Sequence, residues 1–328
     1  MAIRVLRYDA PDFLSSGSCA FSDETINAYR RNCSELWDGL NEVGCVVLEV
    51  RDGDILFAAT NALGASSRFF DKNQFDKQQL SCGIPSEGYA RRSGKELLAF
   101  RLGAPQLAAS LEGKPQLEAA CACLDRLGRA VLRDLCRSTA LGLHPAGLGG
   151  LLEDEGGPLL RGQPSASALR ASKYEAGPSP SALAFAPHHD RGALTLVAST
   201  QAQGLQVAGP GGAWLDVPLG PGRVAVLCRY SLSYALGGLL RPVLHRPPTL
   251  CIHLLDGPGP RCLEVRLQRT AALGTAMESC ARMWHLRLED LVFVYRGRCL
   301  SDRETAEQLG MRERDRVHVH ARRAHGGR

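Results

Sequence analysis

The stretch Pro187–Val197, "PHHDRGALTLV", sets two histidines and an aspartate directly ahead of an apolar run. Its reading decides the fold, because the triplet is either a ligand set at the mouth of a strand or an ordinary polar turn. Along an extended chain the side chains at i and i+2 share a face, so His188 and Asp190 project together while His189 faces away. Alone the pattern is weak. With nine histidines in the chain, an H-x-D arises by chance about every second time. The decision rests on what stands further along.

A non-haem iron centre takes two histidines and one carboxylate on one face and leaves its other positions open. Such ligands belong on rigid strands. "LLRPVLHRP" (239–247) supplies a second histidine, His245, at the end of a strand-like run, fifty-five residues beyond Asp190. His188, Asp190 and His245 are therefore the candidate metal ligands.

The surroundings agree with a β-rich frame. From residue 183 onward short strands alternate with turns: "ALTLVAS", "GLQVAG", "AWLDVPL", "RVAVLCRY". Turn signals every ten residues or so suggest a barrel or sandwich. The amino-terminal part is helical. Ile26, Tyr29, Cys33, Leu36, Leu40 and Val43 recur every three or four residues, Ser22 or Asp23 caps the start, and Gly44 stops the helix. "CVVLEV" (45–50) reads as a buried strand and "DILFAATNALGASSRFF" (54–70) as a second helix. A polar connection, "SCGIPSEGYARRSGKE" (81–96), leads to a long helical region over about 114–143. Glycine, proline and serine dominate 144–182, with one strand at "ALRASKYEA". After "HRPP" the texture changes again. Strands "TLCIHLL" and "CLEVRLQ", a helix "AALGTAMESCARMW", strand "LVFVYRG", a short helix and strand "RVHVHA" make a small α+β domain.

The chain of 328 residues has room for two domains. A net charge of +5 is modest, and no nucleic-acid-binding signature accompanies it. Twelve cysteines are scattered with no C-x-x-C pair. That usage fits reduced thiols and a cytoplasmic or nuclear location. Neither a signal-peptide core nor an apolar run of membrane length is seen, so no membrane partner is expected.

The block running from "HHDRGALTLVAST" through "GLQVAGPGGAWLDVPLGPGRVAVLCRYSLSYALGGLLRPVLHRP" resembles the isopenicillin N synthase-like family of Fe(II)/2-oxoglutarate oxygenases. The likeness covers roughly 1–248. It implies a double-stranded β-helix (jelly-roll) core over about 161–248, a helical part over about 1–160, and Fe(II) held by His188, Asp190 and His245. It implies 2-oxoglutarate as cosubstrate, with Tyr174 at a position that often contacts it, and a small-molecule substrate. Two departures stand out. The family's Arg-x-Ser, which pairs with the cosubstrate's distal carboxylate, is missing from "HRPPTLCIHLLDG". The glycine-aspartate common in the "VAVLCRY" strand is replaced by Leu227-Cys228. The last strands of the jelly roll have no room.

Residues 249–328 resemble the SUMO branch of the ubiquitin-like proteins through "CLEVRLQ", "MESCARMW", "LVFVYRGRCLSDRETAEQLGM" and a closing strand. The resemblance implies a β-grasp domain whose second strand and helix accept an extended peptide. Val265, Arg266 and Arg282 would border that groove; Arg266 reads equally as a solvated charge on an edge strand. Gly326 and Gly327 before a final Arg328 read either as a processing site for a conjugation machinery or as a flexible end. The expected fold class is thus α+β with two domains. Two functions follow: an oxygenase carrying a partner-binding module, or an inactive oxygenase scaffold carrying a SUMO-like interaction module or protein modifier.

Overall fold

The computed structural model describes residues 2–8, 23–81, 87–92, 95–103, 111–138, 147–148, 165, 167–174, 187–199, 205–246, 249–256, 262–268, 272–312 and 315–321. The chain divides into two compact units. One comprises Met1–Ala90, Glu96–Lys173 and Pro187–Arg246; the other comprises Arg91–Lys95, Tyr174–Ala186 and Pro247–Arg328.

The first unit is built on a four-stranded sheet of β1 (Val5–Tyr8), β2 (Cys45–Val50), β9 (Arg223–Cys228) and β6 (Leu194–Ala198), in that order. β2 lies in the interior of the sheet, parallel to β1 and antiparallel to β9. That position explains its continuous apolar run: both of its faces are covered, so no alternation is needed. Val46, Leu48 and Val50 meet one core with Leu36 and Leu40 of α1 (Asp23–Val43) and Leu127 and Leu135 of α4 (Lys114–Cys136). Cys45 and Val47 face the other way, onto Leu205, Val207 and Val217. Val207 belongs to a smaller sheet of β10 (His245–Arg246), β7 (Gln206–Ala208) and β8 (Trp214–Asp216). Helices thus cover one side of the main sheet and a second sheet covers the other.

Gly44 ends α1 as the sequence predicts, with φ +78°, and its N–H bonds the Leu40 carbonyl at 2.8 Å. A Cβ there would stand 2.9 Å from Cβ of Val243. Only glycine supplies both the left-handed turn and the close approach.

A third core joins α2 (Gly53–Phe70) and α4 to β3 (Gly88–Arg92) and β4 (Lys95–Phe100) through Phe69, Phe70, Tyr89, Leu98, Phe100 and Leu117. β3 and β4 form a sheet with β5 (Leu169–Tyr174). Sequence reading assigned "GYARR" to a connection. It is a strand because Tyr89 alternates into this core, a signal that the flanking glycines and arginines hide. α4 is also shorter than expected and ends at Cys136, where the Arg137 N–H caps three preceding carbonyls. The short helix α3 (Gln74–Gln78) has no apolar stripe to announce it and is anchored instead by Lys77.

Lys77 is 6% exposed and Glu96 is 2% exposed. The Lys77 ammonium donates to Glu96 at 2.6 Å and to the Phe70 carbonyl at 3.0 Å. The Tyr89 hydroxyl donates to the same Glu96 oxygen at 2.6 Å. Burial pushes the Glu96 carboxyl up, but the bonds from Lys77 and Tyr89 outweigh it and hold the group below the usual glutamate value. The folded state therefore binds this proton less readily than the unfolded chain does.

The second unit has a five-stranded sheet in the order β12 (Cys262–Gln268), β11 (Thr249–Asp256), β15 (Asp315–Ala321), β13 (Leu291–Tyr295), β14 (Arg298–Cys299). β11 and β12 form an antiparallel pair, and β15 returns parallel to β11. α6 (Gly274–Met283) covers one face, with Met277, Cys280 and Ala281 against Val265, Phe293, Val317 and Val319. Between β13 and β15 the expected short helix is replaced by the two-residue strand β14 and turns.

The Lys77–Glu96 pair generates two expectations. Replacing Glu96 by Gln strands a buried ammonium and costs about 3 kcal/mol or more in urea unfolding at neutral pH. The pair's contribution is complete above the unfolded glutamate value of about 4.3 and is lost as pH falls through the folded value. The wild type should therefore lose stability more steeply than Glu96→Gln on acidification below about pH 4.3.

Candidate metal centre

The strand ends that carry the triplet are tied together by the backbone. His188 N–H bonds the His245 carbonyl at 3.0 Å and His245 N–H returns to His188 at 3.0 Å. His245 is the first residue of β10, paired with Val207 of β7, and Val243 N–H bonds Cys228 of β9 at 3.1 Å. The chain reverses after Asp190 through Gly192, with φ +105°, and enters β6, which pairs with β9. Two strands of opposite sheets thereby deliver the ligands to one place.

His188, Asp190 and His245 each offer a ligand atom within 4.8 Å of the others. His188 Nε2 lies 3.7 Å from Asp190 Oδ1 and His245 Nε2 lies 3.7 Å from Asp190 Oδ2. The two imidazole centroids are 4.4 Å apart. Two cis imidazoles on an octahedral first-row metal hold their centroids roughly 4.5 Å apart, given metal–nitrogen bonds of about 2.1 Å. The residues fit such an ion, and two imidazole nitrogens plus one carboxylate leave three positions open.

Neighbouring groups set the protonation of Asp190 and His245. Burial raises the Asp190 carboxyl, but the Thr195 hydroxyl, Arg229 and the two histidines overcome this and hold it below the usual aspartate value. Thr195 donates to Asp190 Oδ2 at 2.6 Å. For His245, burial lowers the value and outweighs the attraction of Asp190, so the neutral imidazole is favoured. Its Nδ1 lies 3.4 Å from the Val243 carbonyl; a proton there leaves the Nε2 lone pair facing Asp190. An ionised carboxylate beside neutral imidazole is the state a metal requires.

Other side chains are excluded from the ligand set. The ring of His189 packs on Tyr230 at 5.2 Å between centroids. Arg246 turns to the opposite side from His245, stacking 4.0 Å over Trp214 and donating to Gln206 at 3.0 Å. Burial pushes the Cys228 thiol up to about 12, which keeps it protonated and unfit as a ligand. A groove of about 560 Å³ between α2 and α4 is lined by Phe57, Pro115, Gln116 and Cys123 among others and shares no residue with the centre.

Thr195 and Arg229 escaped sequence reasoning. Thr195 stood in the quoted "GALTLV" without a role, and Arg229 follows the Leu227-Cys228 pair. Among the remaining expected site residues, Tyr174 ends β5 and falls in the second compact unit. Val265 is corrected: at 3% exposure its side chain enters the core beneath α6 rather than bordering a surface groove. Alternation along β12 sends it inward. Arg266 pairs in register with Cys251 on β12, an end strand of its sheet. Arg282 is exposed near the end of α6. Gly326 and Gly327 lie outside the described residues.

Residues 165–251 match the family profile of the 2OG-Fe(II) oxygenase superfamily. The chain is similar in fold to a 2OG-Fe(II) oxygenase family protein from Caulobacter crescentus, at 19% identity and TM-score 0.55, over 71% of this chain and 81% of that one. It is similar to a full-length Neurospora crassa protein crystallised with alpha-KG and 5-formyluracil, at 16% identity and TM-score 0.56, over 75% and 77%. A third likeness is to JOX2, crystallised with 2OG, Fe and JA, at 21% identity and TM-score 0.52, over 69% and 67%. No curated protein matches the sequence. The jelly roll with flanking helices is the fold these structures share, and the profile match over 165–251 takes in His188, Asp190 and His245. No described helix is long and apolar enough to cross a membrane.

Removing the hydroxyl that holds Asp190 tests the geometry. Thr195→Val should weaken Mn(II) or Fe(II) binding about ten- to a hundredfold, read by anaerobic titration, with little change in the unfolding midpoint. An unchanged affinity would show that Thr195 does not orient the ligand.

Proposed function

We propose that the chain is an Fe(II)- and 2-oxoglutarate-dependent oxygenase of the isopenicillin N synthase-like branch, oxidising a small molecule. The observation that carries this reading is the pairing of two imidazoles and one ionised carboxylate at strand ends clasped by reciprocal backbone bonds. Iron bound there supplies the oxygen-activating redox chemistry, which no side chain can provide. The protein's share is geometric and electrostatic. His188 and His245 present imidazole nitrogens, Asp190 presents a charge fixed by Thr195, and the open face is left for cosubstrate and oxygen.

The second unit reads best as a β-grasp module of the ubiquitin-like kind that recruits a partner. Its support is the strand order β12-β11-β15-β13-β14 with α6 packed on one face. β12 ends that sheet and so presents one backbone edge of the kind that accepts an extended peptide. The free thiols among the described residues support a reducing, cytoplasmic or nuclear location.

A second reading, an inactive scaffold, draws on one observation. β11, the first strand after His245, pairs with β12 and β15 in the second unit's sheet, and no Arg-x-Ser stands there for the cosubstrate's distal carboxylate. The two readings part in one assay. Full-length protein loaded anaerobically with Fe(II) and then given oxygen and 2-oxoglutarate should release succinate, at a rate that falls to background in His188→Ala and His245→Ala. Iron binding with no succinate above that background would favour the scaffold.

A further inference from the structure

Arg229 stands against the carboxylate that the metal needs. Its Nε lies 3.7 Å from Asp190 Oδ2, on the oxygen that also accepts from Thr195. Nη1 donates to the Leu194 carbonyl at 3.1 Å. The guanidinium crosses Gly192, where an added Cβ would come within 3.1 Å of Nη1. This turn is therefore shaped around the arginine. Only 21% of the Arg229 side chain is exposed, and its Nε is buried without a hydrogen-bond partner among the described residues. The charged groups that act on it are Asp190 and Arg170, the latter a second cation from β5. His245 also feels its field.

These positions have a consequence in charge. A guanidinium stays ionised at every physiological pH. In iron-free protein it offsets Asp190. A divalent metal entering the site must share that carboxylate with a fixed cation in a partly desolvated place, where Coulomb terms are strong. Aspartate, arginine and a dication together leave a net charge of about +2 at the centre. That excess is what a dianion removes.

We propose that Arg229 is an electrostatic selector: it weakens binding of the bare metal ion and tightens binding of a dianionic co-ligand, such as 2-oxoglutarate, to the metal-loaded centre. In charge, though not in contact, it stands in for the missing Arg-x-Ser. This rests on the metal-centre reading above. As a fixed charge Arg229 opposes the metal and favours the dianion, whereas the factor by which metal and dianion raise each other's affinity is common to both and comes from their direct contact.

The test uses the full chain and redox-inert Mn(II), with free ion followed by electron paramagnetic resonance, first without 2-oxoglutarate and then over a series of its concentrations. Arg229→Gln and the closer-shaped Arg229→Met should bind Mn(II) alone about tenfold more tightly than wild type, while the affinity of the Mn(II)-loaded protein for 2-oxoglutarate falls about tenfold. Arg229→Lys, which keeps the charge, should stay near wild type in both. A merely structural arginine predicts the opposite sign: neutral variants would bind Mn(II) alone more weakly, as Asp190 loses its support. That result, or no change in either quantity, overturns the proposal while leaving the metal centre standing. If wild-type binding of Mn(II) is absent, or is untouched by His188→Ala with His245→Ala, the functional reading fails and this inference with it.

Discussion

The structure of the candidate centre depends on one backbone clasp. His188 and His245 exchange N–H···O bonds at 3.0 Å in each direction, although 57 residues separate them (245 − 188). Closing so long a loop is costly in entropy, so the clasp exists only because the sheets around it are already paired. β7 holds β10 in register, β9 holds Val243, and β6 follows directly from the turn after Asp190. The three side chains then converge, with ligand atoms within 4.8 Å of one another. The clasp, more than any single ligand, converts two ordinary histidines into a pair whose rings sit 4.4 Å apart.

The next layer is electrostatic. Asp190 is partly buried, which by itself would favour its neutral form. Thr195, Arg229 and the histidines reverse that outcome. The same arrangement explains why the turn after the triplet needs glycine at 192, since a side chain there would displace the arginine. A carboxylate held ionised, an imidazole held neutral and a cation held nearby form one coupled unit, so each is best read in the presence of the others.

Much of this was legible in the sequence where a period or a spacing carried it. α1 shows its 3.6-residue stripe and its glycine stop, β2 its unbroken apolar run, and the three ligands their H-x-D with a later histidine on a strand. What stayed hidden has a physical reason in each case. β3 carries arginines and glycine around one buried tyrosine, so its two-residue period is lost. α3 is anchored by a buried lysine, a residue type normally read as exposed. For Val265 the ubiquitin-like resemblance points to the groove, whereas its alternation with Leu263 and Leu267 along β12 points to the apolar face, where the structure has it. Thr195 and Arg229 meet the centre at Asp190, which lies five residues before one and thirty-nine before the other. No local pattern reports such a contact.

The convergence of His188, Asp190 and His245 implies that the three together hold one metal ion. X-ray absorption at the iron edge of anaerobically loaded, full-length protein tests it most directly. The account predicts one iron per chain, only nitrogen and oxygen neighbours at about 2.1 Å, and imidazole scattering from two rings that disappears with His188→Ala and His245→Ala. Sulfur in the first coordination sphere, or imidazole scattering that survives those substitutions, would contradict it.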